Sequence, residues 1–151
     1  MRDKRFIALH RGGPLTEDQH YLLMNLACEY AEHILPLIPN PIDECPRNAL
    51  SIAKLWTQGA ASVGDARKAS VAAHAYARSL TNPVEIAVAR AVGHAVATAH
   101  MADHSLGPAY YALKAVKSAG QSVEQERKWQ DEQIPTEIKE LYLTAREIRK
   151  I

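Results

Sequence analysis

Apolar residues along this chain return every three or four positions, the period of one helix face, in almost every stretch. Leu22, Leu23, Leu26, Ala27, Tyr30, Ala31, Ile34 and Leu35 predict a first helix that ends near Pro36. Thr16 and Gln19 form a capping-box pattern at its start, and Glu17 and Asp18 suit the positive end of a helix dipole. Glu29, Glu32 and His33 fall mostly off the apolar face. Pro36, Pro39, Pro41 and Pro46 frame a stiff loop. A second helix is expected from Pro46 to Gln58, with Ala49, Ile52, Ala53 and Trp56 inward and Gly59 as its stop. Ser62, with Asp65 three residues on, opens a third helix through Ser79 that carries the small-residue row Ala66, Ala69, Ala73 and Ala77. Asn82-Pro83 ends it and caps the next.

The fourth helix, expected from Pro83 to His104, differs from its neighbours in being apolar nearly all round. Val88, Val92 and Val96 make one stripe, and Ala89, Gly93 and Ala97 another. Such a helix is buried on most sides, which places it in the middle of a bundle. Gly93 costs about 1 kcal/mol against alanine there, so a close backbone approach is expected at that point. Gly107-Pro108 is expected to break the chain and restart a fifth helix to Ala119. Ser122 and Gln125 cap a short polar sixth helix carrying Trp129. A seventh runs from Pro135 to Ile148, with Ile138, Leu141, Tyr142, Ala145 and Ile148 inward. Before the first helix, Phe6-Ile7-Ala8-Leu9 is a lone apolar patch ahead of Gly12-Gly13-Pro14, an arm or a short strand. The prediction is an all-α compact bundle of about seven helices around an alanine-rich central one. It forms one domain over 1–151, with 1–15 as a loosely packed arm. His74-Ala75-x-Ala77 and His94-Ala95-x-Ala97 repeat at an offset of twenty residues, a weak hint of a duplicated hairpin.

Composition narrows the function classes. Twenty-five alanines and one phenylalanine favour close helix packing over a sheet. A net charge of +1 argues against a nucleic-acid binder driven by a basic field. Pro36 and Pro39 interrupt the longest apolar stretches, so no membrane span is expected. The charged N-terminal stretch lacks the apolar core of a secretory signal, which makes the cytoplasm the expected location. Cys28 and Cys45 lack metal-type spacing and read as free thiols.

Candidate chemistry collects in the fourth helix. Arg90, His94 and Thr98 form its polar row, and Arg90 is expected to pair with a carboxylate such as Asp65. His100 and His104 stand one turn apart, a spacing that can present two imidazoles to a metal. The zinc-protease version needs a glutamate after the first histidine, where this chain has Met101. On a continuous helix, His94 and Asp103 lie well round from His100 and His104, so the histidines split onto two faces. No metal and no cofactor are therefore assigned. Glu85, Arg90, His94, Asp103 and Tyr110 could converge for acid–base work, but no spacing forces it, and no catalytic residue is assigned. Tyr110, Tyr111, Trp129 and Tyr142 could form an aromatic cluster that anchors an interface or fills the core.

The same residues carry a resemblance. A-A-H-A-Y-A-R (72–78) and A-R-A-V-G-H-A-V-A-T-A-H-M-A-D-H-S-L-G-P-A-Y-Y-A (89–112) resemble a family of predicted all-α immunity proteins from bacterial polymorphic toxin systems. A-C-E-Y-A-E-H-I-L-P-L (27–37), R-N-A-L (47–50), L-W-T-Q-G (55–59) and E-R-K-W-Q-D-E-Q-I-P (126–135) are similar to its other blocks. Ser105 and Pro108 depart from that family's pattern, which has small helical residues there. The resemblance implies an all-α cytoplasmic protein that binds and neutralises a cognate protein toxin, with no catalytic residues; net charge and the lack of a membrane span add the expectation of no nucleic acid and no membrane partner. His74, Arg90, His94, His100, Asp103 and His104 are its candidate binding residues. The alternative is a metal- or small-molecule-binding helical enzyme built on His94, His100, Asp103 and His104; a homodimer is a third reading.

Overall fold

Every long helix but two starts where a short polar side chain replaces a missing backbone partner. A computed structural model describes residues 2–40 and 42–151; Met1, and Pro41 of the expected proline loop, lie outside them. Seven α-helices make up most of the chain: α1 Glu17–His33, α2 Glu44–Thr57, α3 Val63–Arg78, α4 Pro83–Ala97, α5 Leu106–Ser118, α6 Val123–Gln133 and α7 Thr136–Arg149. Thr16 with Gln19 and Ser62 with Asp65 close reciprocal capping boxes on α1 and α3. Asn82 Oδ1 accepts from the N–H groups of Val84 and Glu85, and Ser122 accepts from Gln125. Asp43 caps α2 three residues before Pro46, so that helix starts at Glu44 and Pro46 sits in its first turn. The exceptions are α5 and α7, which have no side-chain cap.

α4 is the central helix and packs against α1, α2, α3 and α5. Val88, Val92, Val96, Ala91 and Ala95 are all at most 1% exposed. α4 is shorter than its sequence suggests. It ends at Ala97, and a turn through Thr98–Met101 leads into a 3₁₀ segment, Ala102–Ser105, before α5. In a continuing helix the Thr98 carbonyl would accept from Ala102; here it accepts from His20 Nε2 on α1 at 2.6 Å. Met101 then takes an extended conformation, φ −148° and ψ 107°. Gly107-Pro108, expected to be the break, lies inside the first turn of α5, where a missing N–H costs nothing.

The N-terminal arm is anchored, contrary to the loose packing expected. Two 3₁₀ turns, Lys4–Phe6 and Leu9–Arg11, and a single parallel bridge from Ala8 to Leu15 fold it back on itself. Phe6 is 4% and Leu15 1% exposed, both in a second core cluster with Leu23, Tyr30, Ile138 and Tyr142. On α7, Ile138, Tyr142 and Ala145 point inward as expected, whereas Ile148 is 71% exposed, beyond the reach of the core. Both cysteines are free thiols. Among the described residues, no helix is long and apolar enough to cross a membrane.

Candidate functional site

The break after α4 decides the geometry of the histidines. A straight helix would have sent His94 and His104 to different sides; the turn folds His104 back over α4. His94 Nδ1 and His104 Nδ1 come to 3.3 Å. The His74 ring, from α3, meets His94 edge-on with centroids 5.0 Å apart, and His100 lies 5.2 Å from His104. Tyr111 of α5 stacks on His94 at 5.4 Å and 16°. The expected split into two faces is thus replaced by one contiguous layer, His74–His94–His104–His100, with all four rings half-buried.

Two glycines make room for it. A Cβ on Gly93 would fall 2.7 Å from Cε1 and Nε2 of His74, and one on Gly107 would fall 2.5 Å from Cβ and Cγ of His94. Ser70 on α3 adds a hydrogen bond to the Gly93 carbonyl at 3.0 Å. The close approach expected at Gly93 is therefore an imidazole lying against the α4 backbone. Gly107, expected as part of a break, and Tyr111, expected in an aromatic cluster, both serve the His94 ring instead, and the pairing of glycines with histidines in the 89–112 motif was the available signal.

Hydrogen bonding fixes the protonation of one ring. Arg90 Nη1 lies 2.8 Å from His74 Nδ1. A guanidinium can only donate, so Nδ1 accepts and the His74 proton sits on Nε2. The contact replaces the expected pairing with Asp65, whose carboxylate closes the capping box with Ser62. No carboxylate of the described residues comes within ion-pair distance of Arg90. Burial lowers the pKa values of all four histidines, and neighbouring positive charges add to it. His94 and His100 fall to about 4. At neutral pH the layer is therefore uncharged, with Arg90 beside it.

Asp103 belongs elsewhere. Its carboxylate pairs with Arg2 at 3.4 Å and Arg149 at 3.3 Å, tying the arm to α7. Nor do the aromatic residues form one cluster. Tyr110 and Tyr111 pair near the layer, while Trp129 and Tyr142 pack on Tyr30. No group of three or more histidine, cysteine or acidic side chains among the described residues is arranged to hold a metal. A cavity beside His100, bordered by Arg2, Arg11, His20 and Asp103, measures about 60 Å³. That is room for water, well below the roughly 300 Å³ of small-molecule sites.

Comparison with protein families places this layer in context. Residues 13–137 match the family described as "Imm-5 like putative immunity protein". The chain belongs to that family. The match takes in the whole histidine layer, both glycine slots and the caps of α1, α3 and α4. No curated protein and no solved structure matches the chain.

Proposed function

We propose that the chain is an immunity protein that binds a cognate toxin domain in the cytoplasm and neutralises it by association, without catalysis. The observation that carries this reading is the family match over residues 13–137. The geometry agrees with a binding role. Neutral imidazoles, an arginine and a tyrosine pair lie on a half-exposed face formed by three helices, a shape suited to another protein's surface. The test is co-expression with the toxin domain encoded beside this gene. A stoichiometric complex and loss of toxicity are expected; free toxicity with no complex at micromolar concentration would overturn the reading.

One distance favours a second reading, a metal-binding helical enzyme. Two nitrogens on one tetrahedral zinc, each at about 2.0–2.1 Å, stand about 3.3 Å apart, as do His94 Nδ1 and His104 Nδ1. A zinc site needs at least one more protein ligand, which this reading must find in His74 or His100 after ring movement. Elemental analysis of gently purified protein decides it: bound zinc at one equivalent supports it, and metal-free protein removes it.

A further inference from the structure

The immunity reading leaves the contact surface open. The buried charged groups Asp103 and Arg146 each meet an opposite charge. Asp103 has Arg2 and Arg149, and Arg146 has Asp131, whereas half-buried Glu85, like Arg90, is in no ion pair among the described residues. Arg90 has only a neutral imidazole. A half-buried guanidinium without a carboxylate is an incomplete arrangement, because charge-assisted, bidentate pairing is what that group does best.

We propose that the open side of the histidine layer is the surface that takes an acidic segment of the toxin, with a carboxylate seated on Arg90 between His74 and His94. This rests on the immunity reading and adds to it the place and the chemistry of contact.

Three observations support the acidic occupant. From Ala66 to Ser122 the chain carries six lysines and arginines against two carboxylates, although the whole protein is near neutral. Of those two, Asp103 is held by Arg2 and Arg149, and Glu85 borders a separate cavity with Pro46 and Tyr76. The surface is also preorganised. The glycine slots hold His74 and His94 in place, so little side-chain freedom remains to be lost on binding. Finally, Tyr110 is 46% exposed and packs at 5.0 Å on Tyr111, beside Lys114. An exposed tyrosine packed on a second one is the kind of aromatic anchor that protein contacts are enriched in.

Proton uptake should accompany binding. The groups facing His74 are Arg90, Arg78, His94 and His104; those facing His94 are His74, His104 and Arg90; those facing His104 are His94, His100, Asp103, Arg2 and Arg149. Apart from Asp103 and the imidazoles, all are positive, so the free protein resists protonating the layer. A toxin carboxylate reverses that sign and raises the imidazole pKa values. Affinity should then rise as pH falls from 7.5 to 6, by up to about tenfold per pH unit for each proton taken up.

Titration calorimetry with the purified toxin domain encoded beside the gene tests this in wild-type protein and three variants. Arg90→Gln should weaken binding by about 30-fold or more, the usual loss when one side of a buried charge pair is removed. Tyr110→Ser, at an exposed position that the fold does not need, should weaken it by about tenfold. Lys139→Gln, on the far α7 surface, makes the same charge change as Arg90→Gln and should leave affinity within about twofold. Melting by circular dichroism checks that Arg90→Gln folds, and where it does not, Tyr110→Ser carries the result. Wild-type affinity in both Arg90→Gln and Tyr110→Ser would overturn the surface while leaving the immunity reading standing. No complex with the wild-type protein would overturn the immunity reading, and the surface with it.

Discussion

The two ends of this bundle treat their polar groups in opposite ways. Around α6 and α7, buried polar groups are joined across helices. Tyr30 Oη donates to the Gln130 carbonyl at 2.6 Å, and Tyr142 Oη to the Ser105 carbonyl at 2.9 Å. His33 stacks on Trp129 at 3.5 Å and reaches Glu126 at 3.0 Å, and Asp103 bridges Arg2 and Arg149. Across α3, α4 and α5, by contrast, the polar groups lean on one another without charge compensation: imidazole on imidazole, guanidinium on imidazole. Cross-helix networks of this kind make a fold specific, although Gln130 Oε1 and Arg146 Nη2 find no partner within them. An array with an unmatched charge, held in glycine-lined slots at a half-open surface, is what a recognition site requires and what a purely structural core does not.

Substitutions can break that contrast, and the largest effect is expected at the slots. Gly107→Ala puts a methyl group 2.5 Å from the Cβ and Cγ of His94, atoms too near the α4 backbone to swing away. A loss of about 3 kcal/mol is expected in urea unfolding. Gly93→Ala meets only the far edge of the His74 ring and gains about 1 kcal/mol of helix propensity, so a net loss of about 1 kcal/mol is expected. Adding His74→Ala, which removes the ring atoms that the Gly93 methyl would meet, should restore much of the Gly93→Ala loss; equal damage with and without that ring would show that no slot exists.

Acidification separates the two ends next. The folded values of His94 and His100, about 4, lie below the ordinary 6.5, so between those values the unfolded chain holds more protons than the folded one. Stability from this source is complete above about pH 6.5 and is lost as pH falls toward 4. His20, His74 and His104 shift in the same direction, burial being the leading cause. The melting temperature should drop by several degrees between pH 7.5 and 5, and His94→Gln should flatten the curve. A smaller effect is expected around α6 and α7. Tyr142→Phe leaves the Ser105 carbonyl without its buried donor and should cost about 1 kcal/mol in the same unfolding assay, with no change in toxin affinity. Smallest of all, zinc or nickel should leave the melting temperature where it was, since no third ligand joins His94 and His104.

How much of this was legible in the sequence depended on range. Capping residues act within three or four positions, so Thr16, Ser62, Asn82 and Ser122 located helix starts correctly. The alanine and valine stripes of α4 revealed a helix buried all round for the same local reason. The end of that helix was not legible, because the event that stops it is a side chain 78 positions away: His20 capturing the Thr98 carbonyl. Extrapolating the helix to His104 then scattered histidines that the turn in fact unites. Arg90 was misassigned for a related reason. Asp65 is acidic and on the adjoining helix, but its carboxylate is already engaged by the local cap with Ser62. The family resemblance, resting on the pattern itself rather than on any face it was assigned to, was insensitive to these errors.

The contrast itself can be measured in a single titration, because histidines stand at both ends. Imidazole resonances assigned by NMR are followed as the toxin domain encoded beside the gene is added. His74, His94 and His104 should shift together on saturation, while His33, held between Trp129 and Glu126, and His20, held by the Thr98 carbonyl, stay in place. Movement of His33 with a motionless α3–α4–α5 layer would contradict the account, putting the contact on the α6–α7 side and leaving the histidine layer a matter of packing alone.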